Sequence, residues 1–196
     1  MKFVIATHNA HKVEEFSRIL APLGIEAMAD PSLSDVEETG TTFSENAFLK
    51  AQAACKETGL PAVADDSGLC VDALNGEPGI YSARYAPEGQ KKQTILNKLQ
   101  GIPKEQRTAR FVCAICCVFP NGEMITAQGV CEGTIAFACR GDSGFGYDPI
   151  FECPDGKTFG EKTAQEKDQY SHRSKALHAF VQRLEEYTAK ENHHDQ

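Results

Sequence analysis

The sequence predicts an α/β protein built on a mixed β-sheet, and three observations carry that class. Short β-prone runs alternate with helically spaced apolar residues early in the chain. The segment Ala109–Phe119 is apolar at nearly every position, which marks a central strand buried on both faces. Past the turn residues Pro120-Asn121-Gly122, a second β-prone stretch returns from Met124 to Phe137, giving a long hairpin. The 196 residues, 41% hydrophobic and 24% charged, fit one globular domain spanning 1–196, with a tail prone to disorder from about residue 191.

Taken in order, Lys2–Ala6 is a short strand running into Thr7-His8-Asn9. Val13, Phe16, Ile19, Leu20 and Leu23 then recur at helical spacing, with Pro22 near the helix end and Gly24 just beyond it. Ile25–Ala29 reads as a second strand. Thr42-Phe-Ser-Glu45 has the form of a capping box, and Ala47, Phe48, Ala51, Ala54 and Cys55 make the apolar face of the helix it starts. Asn46 and Lys50, four apart, share another side of that helix. Pro61–Ala64 is a short strand entering the turn-like Asp65-Asp66-Ser67-Gly68, after which Leu69–Leu74 forms another. Ser171 precedes a last helix whose Leu177, Phe180, Val181 and Leu184 share one face.

The net charge of −8 argues against an extended nucleic-acid partner, which needs a broad basic surface. It leaves room for a small polyanion in a local cationic pocket. The apolar run Phe3–Ala6 is too short for the core of a signal peptide, and no stretch approaches the roughly 18 apolar residues of a membrane helix. The expectation is a soluble, cytoplasmic protein without membrane partners. Of the eight cysteines, Cys113 and Cys116 match C-x-x-C, but on a strand they point to opposite faces and cannot share a metal. The cysteines are read as buried free thiols.

Four clusters have the makings of chemistry. Thr7-x-Asn9-x-x-Lys12 places polar groups and a cation at a helix N-terminus, where free N–H groups and the helix dipole favour an anion; a plain helix cap is the competing reading. Glu37-Glu38 and Asp65-Asp66, in glycine-containing loops, suit Mg²⁺, or else are a solvated pair and a turn. Gly141 to Pro149 sets Phe145 and Tyr147 among glycines beside Asp148, either as a platform for a planar base or as a plug in the core. Lys167-x-x-x-Ser171-His172-Arg173 brings further cations, with His172 given no role on local grounds. Together the four would serve a nucleoside polyphosphate.

Five motifs in this order resemble one family across nearly the whole chain: Thr7-x-Asn9-x-x-Lys12, Asp65-Asp66-Ser67-Gly68, Pro78-Gly79-Ile80-Tyr81-Ser82-Ala83-Arg84-Tyr85, Phe145-Gly146-Tyr147-Asp148-Pro149-x-Phe151 and Ser171-His172-Arg173. They resemble the Ham1-like inosine triphosphate pyrophosphatases, also called dITP/XTP pyrophosphatases. The resemblance implies a two-lobed fold around a long mixed sheet with flanking helices, an active site in the central cleft, and a homodimer. It implies Mg²⁺-dependent hydrolysis of free ITP, dITP or XTP to the monophosphate and pyrophosphate. By position, Thr7, His8, Asn9, Ala10, His11 and Lys12 hold phosphates, helped by Lys50. Glu38, taken over Glu37 from its spacing to Lys50, and Asp66 are the metal carboxylates, and Asp66 is the general base. Ser67 contacts substrate, and Phe145, Gly146, Tyr147 and Asp148 form the stacking ring and base pocket. Lys167, His172 and Arg173 complete the base and substrate contacts, with Arg173 expected to donate to the 6-oxo group of the purine. The rival readings are a Maf-like nucleotide pyrophosphatase of different base preference and a non-catalytic nucleotide sensor.

Overall fold

Local capping sets the first strand-to-helix junction. In the computed structural model, which describes residues 1–194, strand β1 (Lys2–Ile5) leads to helix α1 (Ala10–Leu20) through Asn9. The Asn9 side chain accepts from the N–H groups of His11 (3.0 Å) and Lys12 (3.3 Å), a cap worth about 1 kcal/mol. A 3₁₀ turn, Ala21–Leu23, and Gly24 at φ 75° end the helix and deliver the chain to β2 (Glu26–Ala29). Helix α2 (Phe43–Thr58) starts at Thr42, whose hydroxyl accepts from Glu45 N–H at 3.1 Å. The Glu45 carboxylate reaches past Thr42 to the N–H of Thr41 at 2.6 Å, so the expected capping box closes one residue early.

The remaining elements are β3 (Ala62–Val71), α3 (Lys91–Lys98), β4 (Thr108–Val118), β5 (Met124–Ile135), β6 (Phe151–Glu152), α4 (Ala164–Asp168) and α5 (His172–His194). The strands form a six-stranded sheet in the order β2-β1-β3-β4-β5-β6. Strand β1 runs parallel to β2 and to β3, with Val4 opposite Ala62 and Ile5 opposite Val63. Strand β6 is antiparallel to β5, so the sheet is mixed, as expected. Helix α5 carries residues 191–194 of the tail expected to be disorder-prone, and Asp195 and Gln196 lie outside the described residues. No helix among the described residues is long and apolar enough to cross a membrane.

One expectation is corrected. Asp65-Asp66-Ser67-Gly68 is not a turn between two short strands but the middle of the single ten-residue strand β3. Strand β3 lies between β1 and β4 in the sheet, and strand pairing overrides the local turn preference of Asp, Ser and Gly.

The chain divides into two compact units. Unit 1 comprises Met1–Asp66, Cys113–Gly129 and the segment from Arg173. Its sheet is covered on both faces, and strand alternation sorts the side chains. Val63, Cys113, Ile115 and Cys117 pack with Phe16 of α1 and Leu177 and Phe180 of α5. Ala62, Ala64, Cys116 and Val118 pack with Ala47, Ala51 and Ala54 of α2. Cys113 and Cys116 therefore lie in different cores, and all eight cysteines are free. Cys139 is exposed and Cys70 half-buried, so the reading of buried thiols holds for the other six.

Unit 2, Ser67–Val112 and Val130–His172, has its own core, in which Leu69, Val71, Phe111 and Ile135 pack with Ile95 and Leu99 of α3 and with Phe151 and Phe159. The motif from Pro78 to Tyr85 is structural here. Ser82 Oγ donates to Gly79 O (2.6 Å) and accepts from Leu69 N–H (2.9 Å), and the Tyr147 hydroxyl donates to Ser82 O at 2.7 Å. The buried Arg107 guanidinium donates to four backbone carbonyls, those of Leu99, Ile102, Ile135 and Ala136, and so ties the end of α3 to the end of β5.

Candidate active site

Because β3 is a strand, its two aspartates point to opposite faces of the unit 1 sheet, and each meets a different helix. Asp66 shares the α2 side with Ala64. It accepts from the Asn46 side-chain amide at 3.1 Å and is 4% exposed. Burial raises its pKa to about 6, the Lys50 ammonium opposes that rise, and the Glu38 carboxylate adds to it. Glu38 lies against Lys50 at 3.2 Å. Glu38 is half-buried in this constellation and Glu37 is exposed, which favours Glu38 over Glu37. A carboxyl group held near pH 6 beside two lysines is suited to accepting a proton at neutral pH.

Asp65 faces α1 and α5. Lys12 Nζ lies 3.2 Å from its Oδ1, and Arg173 Nη2 lies 3.1 Å from its Oδ2. The other arm of Arg173 reaches Glu15 at 2.6 Å. All three of Glu15, Asp65 and Arg173 are at most 5% exposed, and opposed charges at these distances fix one another's rotamers. Arg173, expected to donate to a purine carbonyl, is here an anchor between two carboxylates. The sequence reading gives Glu15 no part in the site, and it names Asp65 only as a member of the acidic cluster, with no role of its own. Glu15 carries a legible signal, an acid immediately before Phe16 on the face that α1 turns to the core.

The junction 7–12 carries the helix cap that one of the two readings expects. Asn9 caps α1, and Thr7 Oγ1 accepts from Asn9 N–H at 3.1 Å. Lys12 is drawn to Asp65. His8, Ala10 and His11 are exposed, and His8 lies 3.4 Å from Asp35.

Unit 2 assembles the residues expected at the base. Lys167 Nζ and Asp148 Oδ2 form a buried pair at 2.8 Å, and the same oxygen accepts from Phe145 N–H at 3.1 Å. The half-buried Phe145 ring lies with its centroid 4.9 Å from Lys167 Nζ. Gly144, at φ 72°, is obligatory, since a Cβ there would sit 2.0 Å from Asp148 Oδ2. Gly146 is exposed in the same loop, Tyr147 is core, and Ser67 is half-buried on β3. His172 stacks on Phe111 at 4.6 Å and 14°, so its ring sits in the aromatic core of the unit.

Among the described residues no group of three or more His, Cys, Asp or Glu side chains is gathered to hold a metal. The donors in unit 1, Glu38 and Asp66, are two hard oxygen groups, and repulsion from Glu38 adds to the rise that burial causes in the pKa of Asp66. That set fits Mg²⁺, which takes one or two protein carboxylates and completes its shell with water and phosphate; it does not fit Ca²⁺ or zinc, which take fuller protein shells.

This chain is similar to known proteins. Residues 3–183 match the Ham1 family. A protein of Geobacillus kaustophilus named dITP/XTP pyrophosphatase is 49% identical, covering 94% of this chain and 95% of its own. One of the same name from Bacillus subtilis is 48% identical, covering 93% and 96%. The structures of the Staphylococcus aureus Ham1 protein and of a Ham1 protein from Coxiella burnetii superpose with TM-scores of 0.83 and 0.85, each at 42% identity and over 95% of this chain. Sequence and fold therefore agree over more than nine-tenths of the chain, and the chain belongs to the Ham1 family.

Proposed function

We propose that this protein hydrolyses non-canonical purine nucleoside triphosphates (ITP, dITP and XTP) to the nucleoside monophosphate and pyrophosphate, and so clears them from the free nucleotide pool. The observation that carries the reading is the carboxyl of Asp66, held near pH 6 by burial, with Glu38, Lys50 and Asn46 around it. It is supported by relatives at 48–49% identity whose name states that activity.

The chemistry assigns each residue a task. Lys12 and Lys50 neutralise phosphate charge, while Thr7, the capped turn at Asn9 and the start of α1, with His8, Ala10 and His11, line the anion. Asp66 accepts the proton of the attacking water, and the phosphorus–oxygen bond that breaks releases pyrophosphate. Glu38 and Asp66 would hold Mg²⁺, which when bound supplies charge neutralisation at the phosphates. Phe145 offers its ring to the base, flanked by Gly146 and Tyr147. The Asp148–Lys167 pair, His172 and Ser67 offer polar contacts to the nucleoside. Arg173 acts through Asp65 and Lys12, orienting a phosphate ligand. A homodimer and a cytoplasmic setting belong to the same proposal and rest on the family resemblance.

The deciding assay measures ITP, dITP, XTP, ATP and a pyrimidine triphosphate with and without Mg²⁺, resolving monophosphate plus pyrophosphate from diphosphate plus phosphate. The proposal expects the first product pair, Mg²⁺ dependence and a preference for 6-oxo purines. A pyrimidine preference would turn the assignment to a Maf-like enzyme, and tight ITP binding without product would make it a sensor.

A further inference from the structure

We propose that Asn46 is a positioning residue that locks the Glu38-bearing loop onto Asp66 and thereby sets the spacing of the two carboxylates. The inference rests on the metal-carboxylate reading above. Its basis is a single side chain with two opposite attachments. The Asn46 amide nitrogen donates to Asp66 Oδ2 at 3.1 Å. Its amide oxygen accepts from the backbone N–H of Gly40 at 2.8 Å, two residues past Glu38. Asn46 is 0% exposed, so neither bond exchanges with water, and leaving either group unmet in that setting is costly.

The loop is fitted to this amide. A Cβ at Gly40 would stand 2.6 Å from Asn46 Oδ1 and 2.7 Å from Glu45 Cβ, closer than atoms pack, and Gly40 has no positive φ of its own. The glycine is therefore needed for close approach to Asn46 and not for backbone conformation. Helix α2 contributes the clamp, and one turn on it contributes Lys50, which meets Glu38 at 3.2 Å.

Outer groups that orient metal ligands typically matter about 10- to 100-fold in metal affinity. The experiment is Mn²⁺ titration of nucleotide-free protein by electron paramagnetic resonance, with circular dichroism as the check on folding. It compares wild type with Asp66→Asn, Asn46→Ala, Gly40→Ala and the Asn46→Ala/Gly40→Ala double variant. The expected result is that Asn46→Ala and Gly40→Ala each weaken Mn²⁺ about 10-fold or more in folded protein, and that the double variant loses no more than the worse single, because both break one device. Should Asn46→Ala not fold, Gly40→Ala gives the same readout. Unchanged affinity in folded Asn46→Ala or, failing that, in Gly40→Ala overturns the clamp, as do additive losses, provided Asp66→Asn abolishes binding. Wild type that binds no Mn²⁺, or Asp66→Asn that binds normally, overturns the carboxylate site and the clamp with it.

Discussion

Replacing Arg173 by Met tests whether the buried charge network of unit 1 is a structural anchor. Arg173 is 1% exposed and spans Glu15 at 2.6 Å and Asp65 at 3.1 Å. Met keeps the apolar stem and removes the guanidinium, leaving two buried carboxylates. Asp65 retains Lys12 at 3.2 Å, so the loss of the guanidinium bears mainly on Glu15. Breaking a buried ion pair from one side costs about 3–5 kcal/mol, and the surviving Lys12 contact puts this case near the lower end, about 3 kcal/mol. For a chain of this size that lowers the melting temperature by about 6–12 °C. Thermal unfolding followed by circular dichroism at pH 7 reads it directly. Glu15→Gln in the Arg173→Met background removes the buried carboxylate that faced the guanidinium and is expected to restore at least half of the loss. A single variant within about 1 kcal/mol of wild type, or a double variant no better than the single, would refute the reasoning.

Other outcomes follow from the same geometry. Asp66→Asn is expected to reduce pyrophosphate release from ITP by about 100-fold or more while keeping the circular dichroism spectrum; near-normal turnover removes Asp66 from the chemistry. The same variant is expected to be more stable than wild type at pH 7 in EDTA. With the folded pKa raised to about 6 from 3.8, the native state binds more protons than the unfolded state between those values, and wild-type stability falls as pH rises through the window, by up to about 3 kcal/mol. Urea midpoints at pH 4 and pH 7 check this, and equal differences at both would sink it. Gly144→Ala forces a Cβ onto Asp148 Oδ2 at φ 72° and is expected to raise KM for ITP several-fold; an unchanged KM in folded protein would detach that loop from the base. Arg107→Met takes a charged donor from four carbonyls, of which Leu99 O keeps Ile102 N–H, and is expected to cost about 2–4 kcal/mol in unit 2 stability, measured by denaturant melts; a loss below about 1 kcal/mol contradicts the clamp between α3 and β5.

Signals that depend on neighbours in sequence were legible. Asn9 before α1, Thr42 before α2 and Gly24 after α1 act on N–H and C=O groups within a few residues, so their types and spacing place helix ends without tertiary knowledge. The burial of Ala109–Phe119 on both faces was legible for the same reason, as was the opposition of Cys113 and Cys116. The strand character of Asp65-Asp66 was not, because its local turn preference is reversed by hydrogen bonding to strands elsewhere in the chain. The early closure at Thr41 was missed too, since nothing in the spacing says whether Glu45 turns to Thr41 or Thr42.

The site divides along the same line. The sequence by itself determined which chemical groups are available: two acids in tandem, lysines at 12, 50 and 167, an aromatic glycine loop, and a helix start at Ser171. Only the tertiary structure decided what each acid does. The pleat of β3 sends Asp65 to Arg173 and Lys12, and Asp66 to Asn46 and the neighbourhood of Glu38. Arg173 meets Glu15 from 158 residues away, a pairing that no local spacing encodes. The physical reason is burial. In water each of these charges would be solvated and independent, whereas inside the fold an ion must find a partner, and which partner it finds depends on which elements pack face to face.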